Sequence, residues 1–405
     1  MSTPEYTNET MSIYDRFGVR TIINAKGPAT RLSGGLLDHE ISAAMAEAGT
    51  FCVDMAELQA GASKVIADVT GAESGIVTAG AAAGLLVGTA ACITGLDPGK
   101  MARLPDTRGM KNEVIMVRSQ RNFYDHAVRT AGARIIEVGL PDRFAGAGVR
   151  DAEAWEIEDA ISEKTAAVFY VAGGNARPPL PEIVKVARAA GIPVLVDAAA
   201  QLPPAANLRR FLDEGADLVA FSGGKAIGGP QGSGILAGKR DLIMSALLQQ
   251  LDLDIYWEQW APPASLIDKH RLRGTPQHGV GRPCKAGKET IIGLLVALQK
   301  FAAENEQSRT QRLQKLIERL QTALAGVDHA RVLLTGGSNP KIELHLTNQA
   351  PRSAMQLCID LESGNPSVHA DASRAPAGVV GFSASCLRDE DPEKIAARVK
   401  PLLRF

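Results

Sequence analysis

The sequence predicts an α/β protein, a mostly parallel, doubly wound sheet in a large domain followed by a smaller C-terminal α+β domain. Three observations predict it. Short apolar runs alternate with helical patterns between about residues 75 and 221, those runs are continuously apolar rather than alternating with polar residues, and the pattern changes after Trp260. Strands alternating with helices are the mark of βαβ units. Strands covered on both faces read as unbroken apolar runs because neither face meets water.

In chain order, a polar leader, MSTPEYTNETMSIYDRFG, precedes a short apolar run at 21–25 and a Gly/Pro/Ser-rich loop at 26–35. Residues 37–48 have helical periodicity with Asp38 as N-cap, and 58–71 form a second helix stopped by Gly71 in the left-handed conformation. Strands are expected at 75–78, 113–117, 134–138, 166–171, 193–198 and 217–221, with helices at 81–93, 122–131, 155–162 and 181–190. A glycine-rich loop and a second short strand follow residue 221. The connector 261–283 is rich in Pro, Gly and Arg, and 289–325 reads as one long helix or two abutting ones. Strands at 331–335, 341–346 and 379–385 and a helix at 392–403 complete the chain. This places an N-terminal segment at 1–70, a large α/β domain at 71–288 and a small α+β domain at 289–405.

Composition excludes several classes. Forty-four basic and forty-five acidic residues leave a net charge of −1, which provides no electrostatic footprint for nucleic acid or an anionic membrane. The five cysteines are scattered and lack a CxxC pair, so neither a zinc knuckle nor a disulfide framework is indicated. His39-Glu40 lacks the second histidine of a zincin, and no metal is expected. The leader has no basic region or apolar core, so no signal peptide is read and a cytoplasmic protein is expected. Residues 74–96 carry no charge over 23 positions, long enough for a membrane span. Gly, Ala and Thr dominate there, however, so the stretch reads as a strand leading into a buried helix.

Three features fall at the carboxyl ends of expected strands, where ligands of doubly wound sheets collect. The first is Thr78-Ala79-Gly80-Ala81-Ala82, a strand turning into a helix through residues too small to shield the backbone amides. Such a turn is a ready phosphate site, or equally a small-residue helix packed tightly on the sheet. The second is Asp197, ending an apolar strand among alanines. A carboxylate there needs a cation or good hydrogen bonds, unless it only caps the next turn. The third is Ser222-Gly223-Gly224-Lys225, a lysine in a glycine-rich loop that does not need it for folding. Alone, it reads as a solvated surface lysine. A Walker loop is excluded by Val219 and Ala226, and no GxGxxG opens a helix after a strand. A phosphate cup, a carboxylate and an amine together suit pyridoxal 5'-phosphate, which needs all three.

These segments also resemble a known family. SGGKAIGGPQGSGIL resembles the lysine loop of the selenocysteine-synthase-like family of fold-type-I pyridoxal phosphate enzymes, whose pattern is S-G-x-K-x-x-G-G-P-Q. TIINAKGPATRLSGG, TGAESGIVTAGAAAG, VLVDAAAQLPP and GRPCKAGKETIIGLLVAL are similar to its N-terminal, phosphate-cup, aspartate-strand and substrate-side segments, in the same order. The resemblance implies Lys225 as Schiff-base lysine, Asp197 at the pyridine nitrogen and Ala199 beneath the ring. It also implies Thr78, Gly80, Ala81, Ala82 and Ser222 at the phosphate. Gln120, Tyr124 and His126 are three candidates for the upper ring face. Arg282 and Lys285 are implied as substrate-anion binders, and the family's sites imply a homo-oligomer, at least a dimer.

Only about twenty polar residues precede Ile22, too few for the tRNA-binding domain found before this segment in selenocysteine synthase. The expectation is therefore the small-molecule branch, similar to D-glucosaminate-6-phosphate ammonia-lyases and related amino-acid lyases and racemases. It implies a lyase that removes the Cα proton of an amino acid or amino-sugar acid and eliminates across Cα and Cβ, releasing ammonia and a 2-oxo acid. An amino-acid racemase is the alternative, since it shares the proton abstraction. Seryl-tRNA selenium transfer and a non-catalytic binding protein that keeps the fold have less behind them.

Overall fold

The computed structural model describes residues 12–140, 142, 146, 148–337 and 339–404. Residues 1–11 of the polar leader lie outside them. Among the described residues twelve strands are present: β1 (Ile22–Asn24), β2 (Ser74–Thr78), β3 (Glu113–Val117), β4 (Arg134–Val138), β5 (Thr165–Val171), β6 (Val194–Asp197), β7 (Leu218–Ser222), β8 (Gly234–Gly238), β9 (Ala330–Thr335), β10 (Lys341–Leu346), β11 (Ser367–His369) and β12 (Val379–Ser383). The chain divides into two compact units, residues 37–304 and residues up to 36 together with 305 onward.

The larger unit holds a seven-stranded sheet in the order β2-β8-β7-β6-β5-β3-β4. Only β8 is antiparallel to its neighbours, so the fold is the mostly parallel α/β sheet expected. Successive side chains point to opposite faces. Ile76, Val114, Met116, Phe169, Leu195, Leu218 and Leu236 enter one core, and Val77, Ile115, Val117, Val168, Val196, Val219, Phe221 and Ile235 the other. Each such side chain contributes about 1.5–3 kcal/mol on burial, which is why the runs show no polar alternation. Helix Ala81–Thr94 packs on the first face. Its small residues serve that purpose too, since a Cβ at Gly88 would stand 3.3 Å from Leu195.

β2 is an edge strand, and helix Met55–Thr70 covers its outer edge. Gln59 donates from Nε2 to Val77 O and accepts from Val77 N–H, both at 2.9 Å, while Ser63 Oγ accepts from Gly75 N–H at 3.1 Å. Gly75 permits the approach, because a Cβ there would lie 2.3 Å from Ile66 Cγ2.

The smaller unit contains an antiparallel sheet, β12-β10-β9, and a parallel pair, β1-β11. That pair, Ile22↔Ser367 to Asn24↔His369, ties the N-terminal segment to the C-terminal region. The compact units therefore meet at 36/37 and 304/305, where the sequence places divisions at 70/71 and 288/289. Asn24 explains the INAKG motif. Its Nδ2 donates to Gly27 O and Gly34 O, and its Oδ1 accepts from the N–H groups of Lys26 and Gly27. The expected stretch at 289–325 is two helices, Lys288–Ala303 and Glu306–Ala323. Asn305 restarts the chain by accepting from Gln307 N–H at 2.8 Å, a side-chain N-cap. The helix expected at 122–131 is shorter, Asp125–Thr130, and helices Arg240–Leu248 and Ala354–Ser363 were not expected.

Candidate active site

All strands of the large sheet but β8 end at one edge, which collects Thr78 from β2, Asp197 from β6 and Ser222 from β7. Between β7 and β8 the lysine loop closes on itself. Gly223 N–H donates to Ser233 O at 2.9 Å, Gly229 N–H to Gly223 O at 2.9 Å, and Ser233 Oγ to Pro230 O at 2.6 Å. A Cβ at Gly223 would lie 2.3 Å from Ser233 Oγ, and one at Gly224 2.7 Å from Gln231 Cα. These glycines thus let the loop pack against its own return limb and so fix the backbone that carries Lys225. Lys225 is half-buried. Among the described residues its ammonium has no hydrogen-bonded or ion-paired partner, yet its charge acts on Asp197.

Asp197 is 7% exposed, and its Oδ1 accepts from Ala199 N–H at 3.0 Å. Burial pushes its pKa up, and the Ala199 bond and the Lys225 charge oppose that rise without cancelling it. Its second oxygen accepts no hydrogen bond among the described residues. A buried carboxylate with one oxygen unused calls for a cationic or protonated partner, and the protonated nitrogen of a pyridine ring fits that requirement. Ala199 half-exposes its side chain beside this carboxylate.

The phosphate turn is built from the neighbouring strands. Thr78 Oγ1 donates to Gly80 O at 2.9 Å, Gly80 takes φ +91°, and helix Ala81–Thr94 opens with no side-chain cap. Its first N–H groups, at Ala81 and Ala82, therefore have no partner within the helix, and the helix dipole makes this end positive. Gly234, the first residue of β8, stands in register with Thr78 on one side and Ser222 on the other. A Cβ there would fall 2.4 Å from the Gly80 carbonyl carbon and 2.5 Å from Ala81 N. The Ser222 hydroxyl and the uncapped helix start thus flank a residue that must be glycine, while the buried Thr78 hydroxyl braces the turn through its bond to Gly80 O. The donor set suits a phosphate ester.

The remaining candidates are placed differently. Gln120 is buried, donates to Arg177 O at 3.2 Å and accepts from Val171 N–H at 2.9 Å. Val171 is in register with Asp197, so Gln120 belongs to the strand ends, with its amide already engaged by backbone. Tyr124 and His126 are exposed on either side of Asp125. Asp125 is buried, and burial raises its pKa, but hydrogen bonds from Arg121 and Arg129 outweigh that and leave the net shift downward. Arg282 and Lys285 line a cavity of about 550 Å³ that also includes Gln59, Asp252, Asp254 and Trp260. Arg282 Nη2 donates to Asp252 Oδ2 at 2.7 Å, whereas Lys285 is exposed and has no ion-pair partner among the described residues. Neither Lys225 nor Asp197 lines this cavity. Sequence reasoning missed Gln59, Ser63 and Asp252, which a linear pattern does not mark, and Gly234, which the Gly-Ser-Gly run could have marked.

A lysine on the loop after β7, an aspartate ending β6 and an uncapped helix after β2 define the fold-type-I class of pyridoxal phosphate enzymes. Residues 125–358 match the aminotransferase class-V family, and the chain belongs to it. It is 30% identical over 407 residues to the 5'-C-glycyluridine monooxygenase-decarboxylase of a Streptomyces species, covering 96% of this chain and 92% of that one. It is 31% identical over 317 residues to the D-glucosaminate-6-phosphate ammonia lyase of Salmonella typhimurium, covering 76% and 75%. A solved D-glucosaminate-6-phosphate ammonia-lyase superposes with a TM-score of 0.80 at 27% identity, over 97% of this chain and 98% of that one. Among the described residues no helix is long and apolar enough to cross a membrane.

Proposed function

We propose that the chain is a pyridoxal-phosphate-dependent lyase that removes ammonia from an amino acid or amino-sugar acid. The observation that carries this reading is the buried, singly hydrogen-bonded Asp197 within electrostatic reach of an otherwise unpartnered Lys225. The likeness to the ammonia lyase, in sequence and in structure, supports the reaction type. When bound, the cofactor supplies an electron sink for charge left at Cα. Asp197 would hold a proton at the ring nitrogen, the Ser222 hydroxyl and the amides of Ala81 and Ala82 would hold the phosphate in a turn fixed by Thr78 and Gly80, which bond to each other, and Ala199 would lie against the ring. Lys225 would hold the cofactor's aldehyde, and its free amine would take the Cα proton and return it to the departing group. Lys285, having no carboxylate partner, binds a substrate anion. Arg282 contributes less to that anion, since its guanidinium holds Asp252. A homo-oligomer, at least a dimer, in the cytoplasm completes the reading.

A second reading is favoured by the nearly full-length match to the monooxygenase-decarboxylase: oxidative decarboxylation of a substituted glycine. One screen separates the two. Amino acids, amino-sugar acids and their phosphates are incubated with the reconstituted protein while ammonia, carbon dioxide, oxygen uptake and optical rotation are followed. Ammonia with a 2-oxo acid and no oxygen uptake is expected. Oxygen-dependent carbon dioxide release would transfer the assignment to the second reading, and exchange of enantiomers without ammonia would make the protein a racemase. Wild-type protein is also expected to be yellow and to retain the cofactor covalently after borohydride, whereas Lys225→Ala retains none.

A further inference from the structure

Helix Met55–Thr70 does for β2 what a neighbouring strand would do. Gln59 and Ser63 are four residues apart, about 6 Å along a helix axis, and they meet Val77 and Gly75, two residues apart, about 6.6 Å along a strand. The two repeats match, so one face of the helix supplies a ladder of hydrogen bonds. Its rungs are unequal. Gln59 holds both polar groups of Val77, the residue immediately before Thr78, whereas Ser63 holds one N–H three residues from it. Thr78 in turn holds Gly80 O, and Gly80 begins the turn into the uncapped helix.

We propose that Gln59 is a positioning residue for the turn formed by Thr78, Gly80, Ala81 and Ala82. By holding the end of β2, it keeps the amides of Ala81 and Ala82 where they bind a phosphate ester, without touching the ligand. The inference rests on the reading of that turn as the phosphate site. A helix that merely covered a sheet edge would instead make Gln59 and Ser63 equivalent, each contributing to stability and neither to ligand selection.

The test compares binding of pyridoxal 5'-phosphate and of pyridoxal, which lacks the phosphate, to the full-length apoprotein. Gln59→Met keeps side-chain volume but removes both bonds, Gln59→Asn keeps the amide one methylene short, and Ser63→Ala removes the outer rung. The two Gln59 variants are expected to weaken pyridoxal phosphate about tenfold or more, as for a lost bond to a charged group, while changing pyridoxal less than about twofold. Ser63→Ala is expected to leave both affinities unchanged. Hydrogen exchange in the cofactor-free protein should quicken at Val77 in the Gln59 variants, and at Gly75 in Ser63→Ala. The proposal is overturned if the Gln59 variants keep their preference for the phosphorylated probe. It is also overturned if they lose both probes in parallel with thermal stability, or if Ser63→Ala behaves as they do. Equal affinity of the wild type for the two probes would instead remove the phosphate reading itself, and the inference with it.

Discussion

The carboxyl group of Asp197 sits where little water reaches it, and ionising it there has a measurable cost in the protein without cofactor. Burial raises its folded pKa above the unfolded value, outweighing the Ala199 hydrogen bond and Lys225. The folded state therefore binds the proton more tightly, and stability falls as pH rises through the folded pKa. Asp197→Asn removes the charge while keeping an acceptor for Ala199 N–H. The cofactor-free variant should be more stable than wild type near neutral pH, by about 0.5–2 kcal/mol as for relief of strain at functional sites. The difference should vanish as pH falls below the ordinary carboxylate range, in urea titrations at several pH values. Activity should be lost at the same time. Asp197, Lys225, Thr78 and Ser222 were legible because each ends or follows an apolar strand within a few residues, so chain order alone placed them at one edge. Gln59 was not legible. Its role depends on which strand lies at the edge of the sheet, and pairing between distant strands is not encoded by local periodicity.

The β7–β8 connection shows at the level of elements how the glycines divide their work. Gly234 and Gly232 are two residues apart, yet only the first has backbone within reach of an added Cβ. Gly234→Ala should displace the turn at Gly80 and lower affinity for the phosphorylated cofactor by at least about tenfold, since backbone cannot give way as a side chain can. Gly232→Ala should leave binding intact and change stability by no more than about 1 kcal/mol. Cofactor titration with thermal melts on both proteins checks the pair. At Gly234 the backbone that approaches is that of the phosphate turn. At Gly223 and Gly224 the close approach is to the loop's own return limb, a contact that composition could not distinguish. The break at Asn305 was equally ambiguous from sequence, because two helices with matching apolar faces show one continuous pattern until a cap is seen.

For the molecule as a whole, the sheet was the legible part and the division into units was not. Strands covered on both faces announce themselves as apolar runs, and their alternation with helices orders them. The membership of residues 12–36 in the smaller unit comes instead from distant partners: Ile22, Ile23 and Asn24, which have no pattern of their own, pair with Ser367, Val368 and His369, and Ala25 O accepts from Ser383 N–H at 2.7 Å. That pairing has a consequence for synthesis. At about 5–20 residues per second, β1 leaves the ribosome on the order of 17–70 s before the strand it pairs with. All of residues 37–304 emerges in that interval, so the larger unit can acquire its core while the N-terminal segment is still without a partner. Nascent chains stalled once residue 304 has cleared the ribosome should therefore resist a protease within 37–304 but be cut between residues 12 and 36. Release of the full chain should protect both. Cutting throughout the 37–304 region of the stalled chain would show that the two units fold only together.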